Sequence, residues 1–326
     1  MVTPARPQDL FLDSLIDAPI KSEQAGLEHP FFSLEKRPRM TPIRYEHGPV
    51  KIEVSAGPKG LATIHDKDIL IYCASVINDR IERGEPVSAK ITFAAHDFLR
   101  VTERGVGKRS YDLFLDALDR LQTTGIKTSI EAGEQRERRT FTWIASSRVI
   151  EDLKPDGSRR MKAVEIELCD WMYRAVAQDR RVLTISPGYF RITSGIERRL
   201  YELARKHVGR QPEWVVSLPR LAEKVGTSRT LRAFKFQLKE IALRDPLPDY
   251  TFSLIGDPTG ELEQAMKGDG YPMKGLSNER MLVRFAPKGE ALGARPTKPI
   301  GRKRWASAAT SDPAPASGPA PVEKSA

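Results

Sequence analysis

The chain has 326 residues, enough for two modest domains with tails, and its 40% apolar content suffices for real cores. Its 53 Lys+Arg outweigh 43 Asp+Glu, and the formal charge of +10 points to a polyanionic partner, nucleic acid before an anionic membrane surface. The two cysteines, Cys73 and Cys169, exclude a disulfide framework and suit a reducing cytoplasm. No window approaches the roughly 18 apolar residues of a membrane span, and no secretory signal pattern opens the chain.

Residues 1–60 read as an N-terminal arm. "LFLDSLIDA" has helical spacing but is short, and "HPFFSL" and "VKIEVSA" alternate as strands do, with His47-Gly48-Pro49 as a turn. From Asp66 the elements become regular. "DKDILIYCASVINDRIERG" places Ile69, Leu70, Cys73, Val76, Ile77 and Ile81 on one helical stripe, with Asp66 as N-cap and Gly84 as stop. "AKITF" reads as a strand, and "AAHDFLRVT" as a two-turn helix closed by Gly105 and Gly107. "RSYDLFLDALDRLQTT" is a longer helix with Tyr111, Phe114, Leu115, Leu118 and Leu121 inward. "GIKTSIEA", "RTFTWIASSRVIEDL" and "KAVEIELCD" follow as strands, leaving Arg136, Arg138, Arg139 and Pro155-Asp156-Gly157 in the connections.

The same order then returns. "ERRLYELARKHVGR" is a helix with Ile196, Leu200, Leu203 and Ala204 inward, and "EWVVSL" is a strand. "PRLAEKVG" is a short helix with Pro219 in its first turn and Gly226 at its end. "SRTLRAFKFQLKEIAL" is a longer helix, capped by Ser228, with Leu231, Phe234, Leu238 and Ile241 inward; "DYTFSLIG" and "ERMLVRFA" close as a strand pair. From Pro287 the chain is almost all Gly, Pro, Ala, Ser and charge, too poor in apolar residues to order itself. A basic patch, "RPTKPIGRKRW", lies within it and reads first as solvated tail. The expected fold class is α+β. Two tandem winged-helix domains, 61–185 and 186–286, stand between the arm (1–60) and a disordered basic, Pro/Ala-rich tail (287–326).

"RGVGKRS" superficially suggests a nucleotide-phosphate loop, but that loop needs G-x-x-x-x-G-K-[ST]. Thr102 stands where its first glycine belongs and Arg109 where its hydroxyl belongs. Helix, glycine turn and helix is instead the helix-turn-helix order, and a following hairpin makes it winged. Lys108, Arg109 and Ser110 then open a recognition helix, where unpaired backbone N–H groups favour a DNA phosphate. On the second copy Arg229, Arg232, Lys235 and Lys239 recur at three- and four-residue spacing after Ser228. Thirteen Lys/Arg face seven Asp/Glu between Arg191 and Leu254, so this helix is expected to be the stronger reader. Asp112, Asp116 and Asp119 on the first helix should confine its DNA-binding role to its first turn and to Arg136, Arg138 and Arg139 as wing arginines. A solvated charged face is the plainer alternative for the second helix.

"LIDAPIKSEQAGLEHPFFSLEK", "KGLATIHDKDILIYC", "TTGIKTSI", "CDWMYRAV", "VLTISPGYFRI" and "ERRLYELARKHVGRQPEW" together resemble the replication initiator protein A family of bacterial plasmids, over about residues 10–250. The resemblance implies a cytoplasmic, plasmid-associated initiator that binds repeated double-stranded origin sites, helps open the origin, and brings in the host initiator and replicative helicase. It leaves a homodimer and self-repression open, and a plain winged-helix transcriptional repressor is the alternative. No enzymatic activity, cofactor or metal is expected. A tyrosine nickase needs a His-hydrophobic-His pair, and His29, His47, His65, His96 and His207 never fall two apart. Tyr189 and Tyr201 read as core or surface residues.

Overall fold

The computed structural model describes residues 19–132, 135–153, 159–255 and 278–289, which up to Lys288 make one compact unit. "LFLDSLIDA", the Pro155-Asp156-Gly157 turn and nearly all of the expected tail, with its basic patch, lie outside the described residues. Strand β1 (Lys21–Glu23) leads into a short helix, α1 (Gln24–Glu28). The Glu23 carboxylate caps it, accepting from the backbone N–H groups of Ala25 and Gly26 at 2.6 and 2.7 Å. "HPFFSL" is not a strand: of its residues only Ser33 forms a bridge, to Thr63. Phe31 and Phe32 turn instead onto Trp143, edge-on at 5.4 Å and stacked at 4.7 Å, so burial of rings overrides the alternating pattern. Strands β2 (Ile43–His47) and β3 (Val50–Ser55) form the expected hairpin, with Gly48 at φ +53° in its turn.

Helix α2 (Lys67–Glu82) departs from a one-stripe helix. It is buried all round from Lys67 to Asn78. Ile69, Leu70, Tyr72 and Cys73 enter a first hydrophobic core, whereas Ile71 enters a second with Leu200, Leu203 and Phe234. A helix apolar on every side must be covered on every side, and α2 is the wall shared by both cores. Asp66 makes no side-chain cap; its carboxylate accepts from the Thr63 N–H at 2.8 Å and from Arg120.

Strand β4 (Lys90–Phe93), helices α3 (Ala95–Val101) and α4 (Lys108–Thr123), and strands β5 (Gly125–Ala132), β6 (Gln135–Phe141), β7 (Ile144–Leu153) and β8 (Arg159–Leu168) follow. The stretch that reads as one strand, "RTFTWIASSRVIEDL", breaks at Thr142-Trp143, and its halves join different sheets. One has the order β2-β3-β5-β6 and the other β4-β8-β7, all pairs antiparallel. Buried Trp143 is the pivot, exposed by only 1%.

After helix α5 (Asp170–Ala177), β9 (Val182–Thr184) returns to pair with β1. A 3-10 turn (Pro187–Arg191) and helix α6 (Gly195–Val208) then precede β10 (Trp214–Ser217), α7 (Leu218–Val225), α8 (Leu231–Arg244), β11 (Tyr250–Ile255) and β12 (Leu282–Pro287). The last sheet has the order β10-β12-β11. In both halves the strand before the helix pair is therefore hydrogen-bonded to the last strand of the half, and the middle strand lies on that strand's far side. The repeat in the element order is also a repeat of strand pairing.

Charge explains how α2 and α6 can lie together. In "ERRLYE" Arg198, Arg199 and Glu202 are buried rather than outward. Lys67 donates to Glu202 at 2.6 Å and to the Gly26 carbonyl at 2.8 Å. Arg199 donates to Glu202 at 3.1 Å and to the carbonyls of Leu27, Glu28 and Lys224. Asp68 accepts from Arg198 at 2.6 Å and Arg104 at 2.8 Å. Each ion has a counter-ion and hydrogen bonds, the condition under which buried charge is tolerated. The backbone fits as closely: a Cβ on Gly195 would lie 2.2 Å from the Leu34 carbonyl oxygen. Gly195→Ala is expected to lower unfolding free energy by about 1–3 kcal/mol, read from a urea titration.

Candidate nucleic-acid interface

The first helix pair is joined by residues 102–107. The left-handed residue of that turn is Glu103, at φ +54°, rather than Gly105 or Gly107. Neighbouring side chains hold it in place. Arg104 donates to the His65 carbonyl at 2.7 Å and to Asp68 at 2.8 Å, and exposed Glu103 takes a bidentate pair from Arg191. Burial of Phe114, Ala117, Leu118 and Leu121 fixes the rotation of α4, and Arg120 ties its C-terminal half to Asp66 with bonds of 2.7 and 2.8 Å. Lys108 and Arg109 are consequently left exposed at the first turn, with Ser110 half-buried behind them. The acidic face is milder than its sequence suggests. Lys59 pairs with both Asp116 and Asp119, at 2.6 and 2.5 Å, which leaves Asp112 as the aspartate of that face that Lys59 does not engage.

Arg136, Arg138 and Arg139 do not lie in a connection. They belong to β6, where Arg138 and Arg139 oppose Ser129 and Thr128 on β5, and both side chains are exposed. The Arg136 side chain falls outside the described residues. The hairpin β5–β6 extends the arm sheet, so these are not wing residues. The strand pair that closes on β4 in this half is β7–β8, where exposed Arg148 lies opposite Glu165. Non-local strand pairing decides this, and nothing in the local pattern of "RERRTF" announces it.

The second pair is more sharply defined. The Ser217 hydroxyl caps α7 by accepting from the Arg220 N–H, and Gly226 ends it at φ +73°. Thr230, not Ser228, caps α8, its hydroxyl accepting from the Ala233 N–H at 3.3 Å. Ser228 and Arg229 therefore belong to the exposed turn before the helix. Phe234, Leu238 and Ile241 are buried, which turns Arg232, Phe236, Lys239 and Leu243 to the opposite side. Arg229, Arg232 and Lys239 have no side-chain hydrogen bond or ion pair among the described residues. Lys235 differs from the cation expected there. Like Lys239 it is half-buried, but it donates to Asn278 at 3.3 Å, and burial followed by Lys239 lowers its pKa below the usual lysine value. Phe236 and Leu243, exposed by 64% and 88%, carry no charge and so do not stand out among the cations of the helix; the stripe at 232, 236, 239 and 243 is the signal that marks them.

The two candidate nucleophilic tyrosines are sealed in the second core. The Tyr189 hydroxyl donates to Glu202 at 2.9 Å, and that of Tyr201 donates to Asp249 at 2.7 Å. Neither ring is exposed, so neither hydroxyl can reach a DNA phosphodiester in this fold. Among the described residues, no helix is long and apolar enough to cross a membrane.

A helix pair whose second member projects cations, followed by a strand pair that closes on the preceding strand, is the winged-helix arrangement. The chain belongs to the replication initiator protein A family, whose model matches residues 21–252. It is 37% identical over 232 residues to a "Putative replication protein" of Wigglesworthia glossinidia brevipalpis, covering 71% of this chain and 83% of that one. In fold it is similar to the crystal structure of domains 2 and 3 of RctB, with a TM-score of 0.54 at 13% identity over 82% of this chain and 97% of that one. A second structure of the same RctB domains gives 0.51 at 12% identity, over 79% and 94%.

Proposed function

We propose that this chain is a non-enzymatic plasmid replication initiator that binds repeated duplex sites at its origin, reading them chiefly with α8. The observation that carries this is the outward stripe of α8. Its cations Arg232 and Lys239, and Arg229 in the turn before it, lack protein partners among the described residues, on the member of a helix pair that enters the major groove in this fold. Family membership supports origin opening and recruitment of the host initiator and replicative helicase as the steps that follow. We read the two repeated halves as winged-helix modules at about 61–185 and 186–286, with α4 anchoring on phosphate through Lys108 and Arg109. The β6 arginines Arg138 and Arg139 are assigned to a flanking backbone role rather than to a wing.

Footprinting on the plasmid that carries the gene tests this directly. Repeated protected sites are expected, with affinity falling on the order of 10³-fold between 50 and 200 mM salt if about six phosphates are engaged. An unprotected origin would overturn the reading. Replacing Arg229 and Arg232 with alanine should cost about 1–3 kcal/mol per base-reading arginine and relax specificity. Replacing Lys108 and Arg109 should mainly reduce the salt slope, by about one for each phosphate that the protein no longer neutralises. Equal effects from both pairs would refute the ranking of the helices.

A further inference from the structure

Cations account for only part of the outward stripe of α8. Between Arg232, four residues before, and Lys239, three residues after, stands Phe236, the one phenylalanine that is exposed among the described residues. Others nearby are consumed by the fold: Phe234 is fully buried, and Phe252 and Phe285 stack on each other in the sheet below. Nothing among the described residues claims the ring of Phe236, while residues at three- and four-residue spacing share one face of a helix. Any duplex engaged by Arg232 and Lys239 therefore meets Phe236 as well.

The major groove offers an apolar ring one specific partner. Each base pair presents hydrogen-bonding groups there, but only thymine presents a methyl group, at C5. We propose that Phe236 packs on a thymine methyl in the bound site, and so distinguishes thymine from cytosine at one position while the flanking cations hold the backbone or a guanine. The inference rests on α8 being the groove helix. A protein partner is the weaker fit, because charged residues are depleted from the centres of protein–protein patches and Phe236 stands among Arg232, Lys235 and Lys239. A polyanion with an apolar feature satisfies both properties of the stripe.

The test removes the methyl and nothing else. Duplexes carrying the footprinted site are made with uracil in place of thymine at one position at a time, and affinities are measured for the full-length chain and for Phe236→Ala. The unaltered protein should lose about fourfold at one or two positions, the worth of one buried methyl-sized group. Phe236→Ala should bind the thymine duplex several-fold less tightly, show no further loss with uracil at those positions, and keep the same salt slope. An unchanged urea midpoint confirms that the exposed substitution leaves the fold intact. Indifference of the unaltered protein to every uracil, or a thymine preference that survives Phe236→Ala, would overturn the inference. Absence of origin binding by the unaltered protein would instead sink the reading of the chain as an origin binder.

Discussion

Asp68→Ala is expected to lower the unfolding free energy by about 3–5 kcal/mol, a large fraction of the stability of an ordinary domain. Its side chain is wholly buried between two arginines, at 2.6 Å from Arg198 and 2.8 Å from Arg104. Removing it leaves Arg198, itself 4% exposed, as a buried cation held, among the described residues, by the carbonyls of Ile192 and Phe190 and the face of Tyr189. Arg104 loses a carboxylate but keeps the His65 carbonyl. The contrast is Lys59→Ala, which breaks pairs with Asp116 and Asp119 in solvent and should leave the urea midpoint nearly unchanged. Urea titrations of the two variants measure both effects. Combining Asp68→Ala with Arg198→Met should recover part of the loss, since a buried charge with no partner is the expensive species. A loss for Asp68→Ala no larger than that for Lys59→Ala would show that water reaches Arg198 and that the network is not closed.

That network also links stability to the turn between α3 and α4. Arg104 belongs to the turn that delivers Lys108, and the same Asp68 receives Arg198 from the start of α6. The placement of the first turn of α4 is thus coupled to the packing of the second half. Arg191 and Glu103 repeat the link in solvent, where it is weaker.

Local periodicity makes much of the fold legible. The apolar spacing of α4 and α8, Gly84 and Gly226 as helix stops, and the strands flanking each helix pair all follow from rules acting within one turn or one strand. Three things lie beyond such rules. Arg198, Arg199 and Glu202 look like an outward charged face in "ERRLYE", because only the arrival of α1 and α2 supplies the carbonyls and counter-ions that admit them to the interior. Strand β6 reads as a connection because its sheet is decided by β5, and the wing is misplaced with it. Ser228 and Thr230 are equally good caps by type, and the choice between them depends on where Phe234 meets the core. At the site, the cations are legible from spacing. Phe236 is not, since an apolar residue in an apolar-rich helix is recognised as exposed only once the rotation of that helix is fixed.

Acidification from pH 7 to pH 5 is expected to destabilise the fold by up to about 2 kcal/mol for each of His29 and His65. Burial pushes the imidazole of His29 down to about 3, and Arg199, Lys224, Arg220 and Lys206 press in the same direction. Burial likewise lowers His65 to about 3, helped by Arg198, Arg104 and Lys36 and opposed by Asp66. In the unfolded chain both titrate near the usual value of about 6.5. Below that pH the unfolded state takes up protons that the folded state refuses, so stability is full above about 6.5 and is lost progressively toward about pH 3. His207, stacked on Trp214 at 4.4 Å and also lowered by burial, acts with the same sign. Glu23 opposes them, because burial raises its pKa and its contribution is lost as pH rises. Most carboxylates titrate below about pH 5, which leaves the interval between about 5 and 7 to the histidines. Unfolding free energy measured in urea at half-unit steps should therefore rise with pH across that interval, and His65→Gln should flatten the rise by as much as about 1.4 kcal/mol per pH unit. A slope unchanged in both His65→Gln and His29→Gln would mean that these imidazoles are protonated within the folded protein. The cations around them could not then be packed as closely as the ion network of α1, α2 and α6 requires.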